Sequence, residues 1–364
     1  MRKKLTLALL LVIAPVGLAA AQDRPPPRKV DAAERTAVIT SLAEQLRANY
    51  VFPQVADKLS ATLIAKNARG GYAAANDNET FMHALAKDLR EFGKDAHFRV
   101  GFAPGYHPDP PSHVPDKQEL DTMRREVATL GYGIQRVERL PGNVGYIELR
   151  GFGPTPIVGK ALDAAMTMLS GTDALIVDLR RNGGGDPVTV AYWMSHFFPE
   201  GDQRHLNDIY TRPTDSTQQF WTDPSVALRY AKPVYVLTSQ RTFSGGEECA
   251  YDFQTQKRAT LVGETTGGGA NPGGDFSLGH DFVAFIPSGR SINPITHTNW
   301  EHVGVKPDIA TPAADAEKTA YTKILRDLLA ATKDPDQRQE LQDTLQTLEK
   351  TGVAEVPNYA PPHR

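Results

Sequence analysis

Residues 174–185 read ALIVDLRRNGGG, and this stretch decides the fold class. Its first six residues are apolar except for Asp178, which is typical of a short strand buried on both faces. The three glycines that follow allow a sharp turn, and a helical pattern begins at about residue 188. A buried strand, a glycine turn and a helix in this order predict an α/β fold with a mostly parallel sheet wrapped by helices.

The rest of the chain fits this interpretation. Further strands are predicted at 144–149, 233–238, 260–262 and 282–286, and helices at 160–169, 188–197 and 246–256. Apolar residues at helical spacing predict three helices within 31–92, the third capped by Asn78. The segment 314–349 is amphipathic helix with a break at Asp334–Pro335.

Changes in composition divide the chain into six segments. They are a signal peptide (1–21), a proline-containing disordered leader (22–30), a helical N-terminal domain (31–98), a linker with the start of the core (99–142), an α/β core (143–312) and C-terminal helices with a tail (313–364).

The N-terminus has the pattern of an export signal. A cationic head (Arg2, Lys3 and Lys4) precedes an apolar run over 5–18, and small residues follow at 19–21. The run is short for a membrane span, so we expect cleavage near Ala21 and a periplasmic or secreted protein. An uncleaved anchor is the alternative. No cysteine lies at the cut, which argues against a lipidated N-terminus, and no second apolar run predicts a membrane span.

Composition excludes several classes of function. The formal net charge of −3 becomes −6 once the three cationic residues of the signal are removed (−3 − 3), which argues against nucleic acid as a partner. The single cysteine, Cys249, precludes an internal disulfide. No H-E-x-x-H, Cys-x-x-Cys or G-x-G-x-x-G spacing occurs. The sequence therefore predicts no metal and no cofactor.

Two segments after predicted strands carry candidate chemistry. In the first, 178–185, the glycines could aim backbone N–H groups at an oxyanion; a plain tight turn and a phosphate site are alternatives, although no Lys-Ser/Thr pair follows as in a P-loop. In the second, TSQRTFSGGE (238–247), Ser244 begins a helix and is followed by two glycines. It is either an N-cap or a nucleophile whose developing charge the helix dipole favours.

Four motifs taken together resemble one family. DLRxNGGG (178–185), TFSGGE (242–247), VGETTGGG (262–269) and NWEHVGVKPDI (299–309) occur in the order seen in the tail-specific, or C-terminal-processing, serine peptidases. The likeness is greater to the branch typified by the interphotoreceptor retinoid-binding protein repeats and the tricorn protease core. It covers roughly 31–312, including the helical N-terminal domain and the Asp95-Ala96-His97 junction.

The resemblance implies a fold and a set of site residues. It implies a crotonase-like (ClpP-like) β/α spiral core with a small N-terminal helical domain and C-terminal helices. Ser244 would be the nucleophile, and the N–H groups of Gly184 and Gly245 would form the oxyanion hole, with Gly183 as the alternative in the glycine run. Gly268, Gly269 and Trp300 are expected to contact substrate.

The general base departs from the best-known branch of the family. That branch uses a Ser–Lys dyad, and Gly269 stands where its Lys would be. The matching positions of the Ser–His branch imply His97 as base and Glu301 as its carboxylate support. The tricorn pattern has a Ser before the His, and here that residue is Ala96, so Glu301 would act directly or through water. An imidazole is the usual proton acceptor for a serine, and His302 is a second candidate.

The sequence thus predicts an exported serine peptidase acting on peptides or unfolded proteins. Endopeptidase, oligopeptidase and esterase activities stay open, as does the oligomeric state. The stretch 99–142 is too short to hold a PDZ-like reader of C-termini. One alternative is a non-catalytic protein that binds an apolar ligand or peptide in the same cleft; another is a scaffold that acts through the C-terminal helices.

Overall fold

The computed structural model describes residues 27–106 and 116–352, and they form two compact units. Within the described residues, the first unit comprises 27–106, 208–218 and 269–292, and the second 116–207, 219–268 and 293–352. The expected signal peptide, most of the leader and the end of the tail lie outside the described residues.

Helices and strands alternate through most of the chain. The helices are α1 (Ala32–Asn49), α2 (Pro53–Ala68), α3 (Asn78–Gly93), α4 (Lys117–Thr129), α5 (Thr155–Leu169), α6 (Pro187–Ser195), α7 (Gly245–Thr255), α8 (Ala316–Ala331) and α9 (Pro335–Thr351). The strands are β1 (Arg99–Phe102), β2 (Ile134–Leu140), β3 (Val144–Leu149), β4 (Ala174–Asp178), β5 (His205–Thr211), β6 (Ser216–Trp221), β7 (Val234–Thr238), β8 (Thr260–Gly263), β9 (Gly273–Gly279), β10 (Phe282–Pro287), β11 (Gly289–Ile292) and β12 (Ile309–Ala310).

The first unit contains the three predicted N-terminal helices. Asp77 rather than the expected Asn78 caps α3, because its carboxylate accepts the N–H of Thr80 at 2.8 Å. Pro53 opens α2 at a position where its missing N–H costs no helical hydrogen bond. The helices share one apolar core with a three-stranded sheet of order β1-β10-β9.

The strand at 282–286 has a different role from the expected one. It was predicted to follow the strands of the parallel core, but β10 pairs antiparallel with β1 and β9 in the first unit. His280 and Asp281, both with positive φ, make the two-residue turn between β9 and β10. Two-residue hairpin turns are most often Asn-Gly, Asp-Gly or Gly-Gly, and His-Asp does not match this signature, so the sequence gives little sign of the turn.

The second unit contains the α/β core. Its six-stranded sheet has the order β12-β8-β7-β4-β3-β2, with parallel pairs throughout except for β2, which is antiparallel to β3. The predicted α/β class is confirmed, and the sheet is mixed.

A further three-stranded sheet, in the order β11-β5-β6, was not predicted.

The C-terminal helices pack on the core sheet. Ile324 and Leu325 of α8 and Leu341 of α9 are at most 1% exposed and belong to the same apolar cluster as Ile176 and Leu237 of the sheet. The predicted break is confirmed, since Asp334 caps α9 and Pro335 begins it. Helices α8 and α9 are therefore part of the apolar core of the second unit.

The sheet brings the two candidate segments to one edge. Strands β4 and β7 are parallel neighbours, with Val177 opposite Val236, and they end at Asp178 and Thr238. The carboxyl ends of neighbouring parallel strands lie together, so the glycine turn and the turn to Ser244 leave the sheet side by side.

Candidate active site

Ser244 lies in a strained turn at the start of α7. Its backbone angles are φ 53° and ψ −123°, outside the regions that L-residues ordinarily occupy. Such strain persists only where the surrounding structure fixes it, and sharp turns of this kind present nucleophilic serines in hydrolases. The side chain is half-buried at the N-terminus of α7, where the helix dipole favours negative charge.

Glu247 holds this turn from within the protein. Its side chain is fully buried; Oε2 accepts the N–H of Ser244 at 2.9 Å. Its Oε1 accepts the hydroxyl of Thr266 at 2.5 Å and the N–H of Gly268 at 2.6 Å. One carboxylate therefore joins Ser244 to the GETTGG turn, a role that was not predicted from the sequence.

The glycine run packs directly against Ser244. Gly184 has φ 103°, and a Cβ there would lie 2.7 Å from the Cβ of Ser244 and 2.9 Å from the nitrogen of Gly245. At Gly185, with φ 143°, a Cβ would lie 2.0 Å from the carbonyl oxygen of Phe152. A side chain at Gly184 would separate the two turns, and one at Gly185 would collide with the backbone of Phe152, which explains both glycines physically.

The N–H groups beside Ser244 differ in their partners. The N–H of Gly183 donates to the carbonyl of Arg150 at 3.1 Å, and that of Gly184 donates to Oδ1 of Asn182 at 2.8 Å. Within the described residues, the N–H groups of Gly185 and Gly245 donate to no acceptor. Of the glycine run, Gly185 therefore has the N–H that is available to an oxyanion, and it lies one residue after the expected Gly184.

Asn182 joins the two turns. Its carbonyl accepts the N–H of Phe243 at 3.0 Å, its Oδ1 accepts that of Gly184, and its Nδ2 donates to the carbonyl of Leu149 at 3.1 Å. The side chain is fully buried. Sequence reasoning missed this residue, although its place before the glycines was visible in the motif.

His97 lies in the first unit. It is 5% exposed, and its ring stacks on Phe285 with centroids 6.3 Å apart. Its backbone N–H donates to Oδ1 of Asp95 at 3.0 Å, and the ring Nδ1 is 3.6 Å from the same oxygen. Buried beside a carboxylate, the imidazole has a partner that favours a proton on Nδ1.

Asp95 is the acidic residue of the Asp95-Ala96-His97 junction, and no role for it was predicted from the sequence. It is 1% exposed, and its Oδ2 accepts a hydrogen bond from Nδ2 of Asn271 at 2.9 Å and one from the hydroxyl of Tyr50 at 3.4 Å. These bonds fix the carboxylate beside the ring of His97. The signal was its position two residues before the candidate base.

Glu301 and His302 lie together in the second unit. The N–H of Glu301 donates to Oδ1 of Asn299 at 3.0 Å, and its Oε1 is 3.5 Å from Nδ1 of His302. The side chain of His302 is 57% exposed, whereas that of Glu301 is 8% exposed. The second candidate base is thus a surface residue, and the candidate supporting carboxylate is largely buried.

The three expected substrate contacts occupy different environments. Trp300 is 2% exposed and packs against Tyr251, with ring centroids 5.5 Å apart. The N–H of Gly268 is bonded to Glu247, as described above, and Gly269 is buried in the first unit. Because it is buried, Trp300 supports its loop and offers little surface to a ligand.

An open cleft lies along the GETTGG turn in the second unit. Its volume is about 690 Å³. Its walls mix polar and apolar side chains, among them Gln240, Thr265, His302, Val303 and Pro312. Thr266 also lines it and bonds Glu247, so the cleft adjoins residues that hold the Ser244 turn.

Two family models match this chain. "Peptidase family S41" matches 143–311, and "N-terminal domain of Peptidase_S41 in eukaryotic IRBP" matches 32–129. The first covers the core sheet and both turns, and the second covers the N-terminal helices. The chain belongs to peptidase family S41.

Curated relatives of the chain are processing peptidases. It is 29% identical over 227 residues to the chloroplastic carboxyl-terminal-processing peptidase 2 of Arabidopsis thaliana, which covers 58% of this chain and 42% of the relative. It is 29% identical over 192 residues to the carboxyl-terminal-processing protease of a Synechocystis strain, covering 52% of this chain and 43% of the relative. The chain thus spans about two fifths of the length of these relatives.

A solved structure shares the fold. A candidate peptidase from Parabacteroides merdae superposes with a TM-score of 0.54 at 18% identity, covering 83% of this chain and 98% of that one. At this identity the match supports the fold alone. In the ranges 27–106 and 116–352, no helix combines the length and apolar character needed to cross a membrane.

Proposed function

We propose that the protein is a serine peptidase whose nucleophile is Ser244. The observation that carries the proposal is the strained Ser244 turn facing the glycine run, with the N–H groups of Gly245 and Gly185 free to donate. Two backbone donors beside a serine are what a tetrahedral oxyanion requires. Membership of peptidase family S41 supports the same reaction.

The chemistry follows from these groups. Oγ of Ser244 attacks a peptide carbonyl carbon and transfers its proton to the base. The carbonyl oxygen becomes an oxyanion held by the two N–H groups, and the C–N bond then breaks as the amine takes the proton. Water hydrolyses the acyl-enzyme by the reverse proton path. Each donor is worth about 2.7–4 kcal/mol in the transition state.

The oxyanion donors in this proposal are Gly245 and Gly185. The N–H groups of Gly184 and Gly183, named from the sequence, already donate to Asn182 and Arg150. For Gly184 to serve, it would have to give up a 2.8 Å hydrogen bond to a buried amide. Gly185 requires no such exchange.

His97 is the proposed general base. Its burial beside Asp95 supports this role, since a carboxylate at Nδ1 would stabilise the imidazolium formed when Ser244 loses its proton. Ala96 has no side chain that could relay between His97 and a carboxylate. Asp95 supplies an acidic group close to His97 instead. Glu301 remains the second proposed carboxylate support.

The substrate class is proposed from the relatives. Carboxyl-terminal-processing peptidases are named for acting at the C-terminal parts of proteins, so we propose a peptide or unfolded protein segment as substrate. We also propose that residues 1–21 are an export signal and that the mature protein acts in the periplasm or outside the cell.

The test is labelling with a fluorophosphonate, followed by mass spectrometry of the modified peptide. The probe forms an Oγ–P bond and releases fluoride only where a serine is activated. We expect one adduct, on Ser244, and no adduct in the Ser244→Ala variant. His97→Ala should slow labelling by about 10²–10⁴-fold, the usual contribution of a positioned base.

A second set of variants separates the proposed residues from other candidates. His302→Ala should label like the wild type, because its side chain is exposed and is not the proposed base. Hydrolysis of fluorescein-labelled denatured casein should disappear with Ser244→Ala while the melting temperature stays within a few degrees. Equal labelling or hydrolysis in the wild type and the Ser244→Ala variant would refute the mechanism.

A further inference from the structure

A buried group of charged residues lies directly behind the candidate active site. Asp178 is the last residue of β4, Arg180 follows it two positions later, and Glu317 comes from the first turn of α8. Their exposures are 1%, 1% and 4%. Burying three charges is unfavourable unless they are paired and fully hydrogen-bonded, so the arrangement demands a reason.

Arg180 is the centre of this group. Its Nε and Nη2 donate to the carboxylate of Asp178, with the shortest contact at 2.6 Å. Nη2 also donates to Oε2 of Glu317 at 2.9 Å, and Nη1 donates to the carbonyl of Ala313 at 2.8 Å. Asp178 alone would neutralise the guanidinium. Glu317 and Ala313 are additional partners, and both lie beyond residue 311, where the family match ends.

The backbone of Arg180 also supports both catalytic turns. Its carbonyl accepts the hydroxyl of Ser239 at 2.5 Å, and the carbonyl of Leu179 accepts that of Thr242 at 2.8 Å. Ser239 and Thr242 belong to the turn that leads to Ser244. Downstream of Arg180, Asn182 holds Gly184 and Phe243, as described above. A shift of Arg180 would therefore move both turns.

We propose that Glu317 is a positioning residue for catalysis, which through Arg180 fixes the glycine turn and the Ser244 turn against each other. The inference rests on the proposed function. It gives α8, which lies outside the matched peptidase region, a direct part in setting the geometry of the oxyanion donors. A displacement of about 1 Å at such a site is enough to lower turnover about a hundredfold.

The charges around Glu317 give the proposal a pH signature. It faces Arg180, Asp178 and Arg136, whose Nη1 is 3.7 Å from Oε1, and the hydroxyl of Tyr146 donates to Asp178 at 2.6 Å. Burial raises the pKa of Glu317 and the charge of Asp178 adds to this, while Arg180 and Arg136 oppose it. A raised pKa means that the carboxylate is lost at a higher pH than for an ordinary Glu as the solution is acidified.

The experiment compares Glu317→Gln with two controls by the second-order rate of fluorophosphonate labelling and by hydrolysis of labelled casein. Asp327→Asn removes a carboxylate of the same helix that accepts the hydroxyl of Tyr235 but does not touch Arg180. Leu341→Ala lowers stability by removing a fully buried core side chain far from the charges in sequence. Melting temperatures are recorded for every variant.

We expect Glu317→Gln to lower the labelling rate and kcat at least tenfold with KM changed less than threefold. The acid limb of the wild-type rate profile should move in this variant, and Glu317→Asp should recover part of the rate. Asp327→Asn should match the wild type, and Leu341→Ala should keep its rate while folded.

Two failures are distinguishable. An inactive, unlabelled wild type would refute the proposed function itself. An active wild type with Glu317→Gln equal to it, or slowed only as much as Leu341→Ala with the same loss of melting temperature, would overturn the positioning role and leave the peptidase intact.

Discussion

Two buried groups of ionisable residues lie next in sequence to the glycine turn and the Ser244 turn, and they are neutralised differently. In the first, Asp178, Arg180 and Glu317 join opposite charges through hydrogen bonds. In the second, Glu248 and Asp252 occupy successive turns of α7, buried to 4% and 1% exposure. Among the described side chains, no Lys, Arg or His makes an ion pair with either carboxyl.

The difference shows in the protonation of the two groups. Burial raises the pKa of Glu248 to about 8, a hydrogen bond with Asn207 lowers it, and the charge of Asp186 raises it further. Burial likewise raises the pKa of Asp252 well above its ordinary value, and the charge of Glu248 adds to this. The first group is stabilised by opposite charges. The second is tolerated in the interior because its carboxyl groups stay protonated and neutral.

This contrast assigns different sensitivities to the two sides of the Ser244 turn. Removing a partner from the first group leaves a buried charge without compensation. Ionising the second group introduces a charge where none is compensated. We therefore expect mutations in the first group to lower the free energy of unfolding at neutral pH. In the second group, a rise in pH should lower it.

The largest effect should come from Arg180→Met. It leaves the carboxylates of Asp178 and Glu317 buried without their shared cation, and breaking such a group costs about 3–5 kcal/mol of the free energy of unfolding. Urea denaturation at pH 7 measures it. The triple variant Arg180→Met, Asp178→Asn and Glu317→Gln, which removes all three charges, should recover much of the loss. A triple variant as unstable as the single one would show that charge is not the cause.

Next in size is the pH dependence set by Glu248. Its pKa is raised above the ordinary value of 4.5 to about 8, so the folded state binds a proton that the unfolded chain releases between these values. Stability from this group is present below the ordinary value and is lost as pH rises through about 8. The slope approaches about 1.4 kcal/mol per pH unit for one proton. Glu248→Gln should therefore flatten the decline.

Thermal unfolding of both proteins at pH 5 and pH 8 measures this difference. The Gln variant should gain melting temperature relative to the wild type at pH 8 and show little change at pH 5. Asp252→Asn, at the neighbouring position of the pair, should flatten the profile in the same direction. Parallel profiles for wild type and variants would mean that Glu248 is ionised in the folded protein.

The sequence predicted those parts of the fold that short-range patterns determine. The runs ALIVDL and PVYVLT identify β4 and β7 because a strand buried on both faces is apolar throughout. The break at Asp334–Pro335 was visible because Pro begins a helix but cannot continue one. Strands β9 and β11 contain glycine or polar residues and escaped notice: β9 pairs with β10 across a turn that its residue types do not signal, and β11 pairs with β5, which is distant in the chain.

The candidate site was predictable in its motifs but not in its hydrogen bonds. Ser244 and the glycine run follow from their positions after strands. The distinction between Gly184 and Gly185 depends on which N–H the side chain of Asn182 occupies, and this requires coordinates. The contact of Glu317 with Arg180 spans 137 positions, and no local pattern encodes it.

Ser244 lies between the two groups in sequence, and the strain of its backbone should have a smaller effect on stability. Ser244→Gly removes the steric cost of φ 53°, whereas Ser244→Ala retains it. Strain of this kind costs about 1–3 kcal/mol, and glycine gives back about 0.5–1 kcal/mol through the greater entropy of its unfolded chain. The Gly variant should therefore be about 1 kcal/mol more stable than the Ala variant in urea denaturation, with both inactive. Equal stabilities would mean that the turn relaxes without cost.

The smallest effect should come from Arg136→Gln, which tests where the paired group ends. Arg136 is 3.7 Å from Glu317, but its side chain is 39% exposed, and it also pairs with Glu138 and lies over the ring of Tyr146. Solvent screens such a pair, so its removal should cost under about 1 kcal/mol. The difference from wild type should shrink further in 1 M NaCl, because the Debye length there is about 3 Å. A loss as large as that of Arg180→Met, unaffected by salt, would place Arg136 inside the buried group and make the compensation of Glu317 depend on two cations.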